Sequence, residues 1–214
     1  MPTACKLRHL SSVLRLPNMT VASAKPSSPR SPIEELLSRP DEHRCEIVDG
    51  EIAEKQAASG KHGEAQVATA HLLFPFRRRN APPGQPGGWV FATEALVEFG
   101  PTQLRRPDVA GWRRDRLAEL PVEVPIIVVP DWICEILSPS NASDDTIVKM
   151  RLYHAFRVGH YWLLDPMACT LTVYRWTPDG YLHVLGATRA ERVRAEPFDA
   201  IELPVGVFFG DDEP

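Results

Sequence analysis

The chain has 214 residues, of which 43% are apolar and 24% charged, the size and balance of one globular domain around one core. No apolar run approaches the ~18 residues that a spanning helix needs, so no membrane association is expected. A net charge of −4 excludes a protein that coats nucleic acid non-specifically, because such binding relies on a large basic excess.

The four cysteines, Cys5, Cys45, Cys134 and Cys169, form no CxxC pair, which speaks against a zinc site or a disulfide framework and suits a reducing cytoplasm. Cys134 and Cys169 read as small core residues of apolar strands. Arginines are concentrated at Arg77–Arg79, Arg105–Arg106 and Arg113, Arg114 and Arg116, a candidate local basic groove within an acidic whole.

Residues 1–30 are basic, rich in Ser and Pro, and free of acids, a composition too poor in apolar periodicity to pack, and disorder or a mis-extended start is expected there. Order is expected over residues 31–210. It begins at Ser31-Pro32-Ile33-Glu34, where Ser31 caps a helix, Pro32 suits its first turn and Glu34 closes a capping box. Next, 45–48 and 51–53 flank Asp49-Gly50, a dipeptide that supplies the positive φ angles of a hairpin turn.

From Ser59 to about Phe74, Ala65, Ala68, Leu72 and Leu73 recur at helical spacing. Strands are predicted at 89–93, 95–99 and 107–112, read as a meander with a turn at Gly100-Pro101. The β-branched run from Ile126 to Leu137 predicts a central strand that starts in earnest after Pro130. A helix from about Asp144 to Phe156 and strands at 160–164, 171–176 and 181–185 complete a mixed α/β order without repeats.

Chemistry-bearing residues gather in the second half. Asp108 and Glu135 fall on neighbouring predicted strands, where two carboxylates repel unless a cation or a proton joins them. Carboxylate oxygens suit Mg²⁺ or Mn²⁺, and a cation so held lowers the pKa of an attacking water. Lys149 is the only lysine after Lys61, and Asp145, Lys149 and Tyr153 follow one another at i, i+4 and i+8, one face of a helix. A positive group there offsets charge that gathers on a phosphoryl oxygen.

In this setting the segments Glu46-Ile47-Val48-Asp49-Gly50-Glu51, Ser59 with His62, Pro107-Asp108-Val109, Glu135-Ile136-Leu137-Ser138-Pro139-Ser140, Lys149 with Tyr153, Gly159 to Pro166 and Leu203-Pro204 resemble, in order, the Uma-type restriction endonuclease family of the PD-(D/E)xK nuclease superfamily. The resemblance spans about Ile33 to Phe209. It implies a restriction-endonuclease-like α+β fold, a mixed central sheet flanked by helices with an N-terminal β-hairpin. It also implies a metal held by Asp108, Glu135 and the backbone carbonyl of Ile136. The superfamily's lysine two residues after the second acid is here Leu137, so Lys149 stands as its replacement from the following helix.

His62 and Glu64 belong to the helix that packs beside the active site in this superfamily, and Glu94 is a strand-borne candidate for a further ligand. Glu46 reads equally as a cross-strand surface partner. The function so implied is a cytoplasmic, metal-dependent endonuclease acting on DNA, a homodimer where both strands of a duplex are cut. The competing reading is a nuclease fold that binds nucleic acid or protein without cutting, motivated by the leucine at 137.

Overall fold

The computed structural model describes residues 31–40, 45–55, 57–139 and 143–212, so the expectation about residues 1–30 and the last residue of the Glu135-to-Ser140 segment lie outside the described residues. Helix α1 (Pro32–Leu37) carries the predicted capping box, with the Ser31 side chain accepting from the Glu34 amide and the Glu34 carboxylate from the Ser31 amide. Strands β1 (Cys45–Val48) and β2 (Glu51–Glu54) form an antiparallel hairpin. Its turn residues Asp49 and Gly50 adopt φ of 52° and 86°, the left-handed pair that this dipeptide tolerates.

Helix α2 (Gly60–Leu72) begins at Ser59, whose hydroxyl accepts from the His62 amide, and buries His62, Ala65, Thr69 and Leu72 on one face. The remaining strands are β3 (Trp89–Thr93), β4 (Val97–Glu98), β5 (Leu104–Arg105), β6 (Val109–Arg113), β7 (Trp132–Ile136), β8 (His160–Asp165), β9 (Thr170–Thr177), β10 (Gly180–Thr188), β11 (Arg192–Val193) and β12 (Leu203–Pro204). Six of them build the main sheet in the order β10-β9-β8-β7-β6-β3, and only the β7–β8 pair is parallel. A parallel neighbour needs a crossover, and here it is helical: a π-helical turn (Asp144–Lys149) that runs into α3 (Met150–Ala155).

Strand β7 is buried on both faces, as its apolar run implies. Trp132, Cys134 and Ile136 pack with α2 residues and the C-terminal Phe198 and Phe208, while Ile133 faces Tyr153, Tyr161 and Phe99 on the α3 side. The protein is therefore a mixed α+β fold, a mixed sheet between helices with an N-terminal hairpin.

Two expectations are corrected. The strands predicted at 89–93, 95–99 and 107–112 do not form a meander: β3 pairs directly with β6, and β4 joins a separate four-stranded sheet, β2-β1-β5-β4. The cause is Glu94, whose φ of 55° swings the chain out of the main sheet after β3. The helix expected from about Asp144 is present and opens with six π-helical residues, which keep Asp145 and Lys149 nearly one full turn apart. Cys169 precedes β9 in a left-handed turn (φ 52°) and is only partly buried, whereas Cys134 is a core residue.

Candidate active site

Register places the two acids. Val109 of β6 is paired with Cys134 of β7, so Asp108, one residue before β6, stands across from Glu135. The Asp108 Oδ2 atom accepts from the Ile136 amide at 2.7 Å, and its backbone carbonyl accepts from Gln66 Nε2 of α2 at 2.7 Å. Both contacts fix the carboxylate against the strand end. In a β-strand the N–H and C=O of one residue point to the same side, so the Ile136 carbonyl is turned to this edge as well.

A cation already sits on Asp108. The Lys55 ammonium, one residue past β2, donates to Asp108 Oδ1 at 2.7 Å, Glu94 Oε2 at 2.9 Å and the Arg106 carbonyl at 2.8 Å. His62, on the first turn of α2, brings Nε2 to 3.3 Å from the same Asp108 Oδ1, yet this buried nitrogen has no well-directed hydrogen-bond partner. Burial alone would raise Asp108, but the His62 ring beside it and the charges of Lys55 and Lys149 outweigh that, and the carboxyl is held well below the usual carboxylate range. Burial alone would depress Lys55; Asp108, Glu135 and Glu94 more than offset it.

Glu135 is fully buried and its two oxygens are both engaged, Oε1 by the Tyr153 hydroxyl at 2.6 Å and Oε2 by Lys149 Nζ at 3.0 Å. Lys149 also lies 2.7 Å from Asp145 Oδ1, so the helix face predicted from 145, 149 and 153 is assembled over the acid. Burial pushes the Glu135 carboxyl up to about 8, against the pull of Lys149 and with the push of Asp108. Lys149 is kept firmly protonated, because Glu135 and Asp145 outweigh its burial.

Among the described residues, the side chains whose ligand atoms come within 4.8 Å of one another are His62, Glu94 and Asp108. That set fits a divalent cation by its chemistry: two carboxylates, an orphaned imidazole nitrogen and a bound ammonium that marks the position as one for positive charge. Glu135 is not brought into this set, since a fully buried carboxylate is met by its own hydroxyl and ammonium donors. A cavity of about 20 Å³, space for one water, is lined by Lys55, His62, Glu94, Asp108, Ile136 and Lys149 among others. The larger hollow of about 440 Å³ beside Phe74 and Leu203 is lined by none of these residues.

Glu64 is elsewhere: it is exposed, pairs with Lys61 at 3.1 Å and lies against Gly210. Glu46 is not a surface partner but a buried acid that accepts from the Arg106 amide at 2.6 Å and pairs with Arg105 at 3.5 Å. Arg105 and Arg106 are thus structural. Arg114, just past the far end of β6, bonds the Arg77 carbonyl, Arg79 pairs with Glu119, and Arg77 lines a hollow with Thr93 and Val109. Sequence reasoning missed Lys55 and Gln66, neither of which has a local signature.

The fold is shared with a solved structure. A crystal structure described as "a putative nuclease belonging to DUF820", from Anabaena variabilis, superposes with a TM-score of 0.63 at 21% identity, over 85% of this chain and 98% of that one. The family model Uma2, described as "Putative restriction endonuclease", matches residues 33–206, and the chain belongs to that family. Membership places the protein among nuclease-type enzymes. A search of curated proteins finds no match.

Proposed function

We propose that the protein is a metal-dependent endonuclease that hydrolyses DNA phosphodiester bonds at the Asp108 end of β6. The observation that carries this reading is the convergence of Asp108, Glu94 and His62 on one small cavity that Lys149 also lines. In it, Asp108, Glu94 and His62 would hold Mg²⁺ or Mn²⁺, with the Ile136 carbonyl at the same edge. Such an ion, when bound, polarises the phosphodiester and makes a bound water a stronger nucleophile.

The rest is done by the chain. Lys149 offers its ammonium to the phosphoryl oxygens as charge gathers on them, a stabilisation that grows in a buried site. Glu135 and Asp145 hold that ammonium in place, and Tyr153 fixes Glu135 from behind. The residue two after Glu135 is Leu137, packed among apolar neighbours, so Lys149 takes the lysine's part from the crossover helix. Cutting both strands of a duplex calls for two such sites, which makes a homodimer the working assembly.

Supercoiled plasmid tests the proposal, because a closed circle can be opened only by an endonuclease. Metal-dependent nicking by the wild type, abolished in Asp108→Ala and reduced at least about 100-fold in Lys149→Ala, is expected. Plasmid that stays closed at millimolar Mg²⁺ and Mn²⁺, while the protein still retards DNA, would favour the non-cutting nucleic-acid-binding reading.

A further inference from the structure

The ammonium of Lys55 satisfies all three of its donors on oxygens, two of them carboxylate oxygens of Glu94 and Asp108 and the third the Arg106 carbonyl. Hard divalent cations seek that same kind of oxygen set, at about 2.0–2.1 Å for Mg²⁺. A lysine nitrogen 2.7 Å from Asp108 Oδ1 leaves no room for such an ion on the same oxygens, and the adjoining cavity admits only one water. Ammonium and ion therefore cannot share Asp108 Oδ1 and Glu94 Oε2.

We propose that Lys55 is a tethered counter-ion of the metal site, and that a divalent ion enters by displacing its ammonium from Asp108 and Glu94. The inference rests on the metal-dependent reading above and adds the residue that sets how tightly the ion is held. The tether suits exchange. Lys55 follows β2, an edge strand paired only with β1 and largely exposed, and its four-carbon stem lets the head swing while the backbone stays in place. His62, in contrast, is fixed on α2 with Nε2 3.3 Å from Asp108 Oδ1 but in no well-directed hydrogen bond, ready to join the ligands once the ammonium leaves.

The exchange makes the metal-free protein self-sufficient. Two buried or half-buried carboxylates that would repel are bridged by an internal cation, so the site folds before metal arrives and loads only when the ion outcompetes a neighbour that is always present. Removing the ammonium should therefore improve metal binding, the opposite of what is expected for a residue that helps to hold the ion.

The test is Mn²⁺ titration by calorimetry of the wild type, Lys55→Met, which keeps the stem and removes the charge, and Lys55→Arg, which keeps a cation. The expected result is at least about tenfold tighter Mn²⁺ binding by Lys55→Met and near wild-type affinity for Lys55→Arg. Equal or weaker binding by Lys55→Met overturns the exchange and leaves the metal-dependent reading standing. No binding by any of the three proteins at millimolar Mn²⁺ removes both the exchange and the metal-dependent reading. Should Lys55→Met fold only when Mn²⁺ is present, the ion has replaced the ammonium and the exchange is supported; a variant unfolded with and without Mn²⁺ overturns it.

Discussion

At the scale of single residues, Glu94 is one of four described non-glycine residues with a positive φ, and the one of them that reaches the site. A non-glycine residue at φ 55° is strained by roughly 1–2 kcal/mol, yet a carboxylate stands there and reaches Lys55. Glu94→Gly and Glu94→Ala both remove the carboxylate, but only glycine relieves the strain. Glu94→Gly should be the more stable by about 1 kcal/mol in urea unfolding, and both should lose Mn²⁺ affinity; equal stability would mean that the backbone is unstrained.

Glu135 gives the metal-free protein a pH signature. Its carboxyl rises from an ordinary value of 4.5 to about 8 on folding, so across that window the native state keeps a proton that the unfolded chain has released. The stability that this proton contributes is complete below about 4.5 and is lost as pH rises towards 8. Asp108 has the opposite sign: its depressed carboxyl stabilises the fold above the ordinary aspartate value of 3.8, and that contribution disappears in acid. Glu135→Gln should flatten the decline of the melting temperature between pH 5 and 8 in chelator, and an unchanged slope would contradict the assignment. Asp108 and Lys149 were legible in the sequence because each lies on or beside an element with a clean pattern. Lys55 was not, since only tertiary contact brings a residue of the hairpin to an acid 53 positions away.

Among the elements, those that carry a period or a strong stop signal were the ones read correctly. The capping box of α1, the Asp49-Gly50 turn, the buried face of α2 and the apolar run of β7 each combine local propensity with pattern. Two-residue strands such as β4 and β5 carry no period, and nothing local tells which sheet they join. The swing at Glu94 and the π-helical turn likewise depend on what the chain packs against, so the meander expectation failed where tertiary contact decided. At the start of α2, Ser59 caps the helix that carries His62. Ser59→Ala should lower stability by about 1 kcal/mol, read as a shifted urea midpoint with an unchanged m-value.

For the molecule as a whole, a net charge of −4 means that a duplex is held only by a local positive field. Arg113 lies at the end of β6 remote from Asp108, roughly 17 Å away along the strand at ~3.3 Å per residue, whereas Arg77 lines a hollow with Thr93 and Val109 nearer the site. That separation is within the width of a bound duplex. Replacing Arg77 and Arg78 together by alanine should weaken DNA binding evenly across sequences and reduce the slope of log affinity against log salt by up to about two. An unchanged slope would place the duplex elsewhere.

The metal site joins these scales, since Asp108 is strand end, helix contact and carboxylate at once. Calorimetric titration of Mn²⁺ into the wild type and Asp108→Ala, with folding of both checked by circular dichroism, is the most direct measurement. The account predicts saturable binding by the wild type that is lost in the folded variant. Identical titrations of the two proteins, or no binding by the wild type at millimolar Mn²⁺, would contradict it.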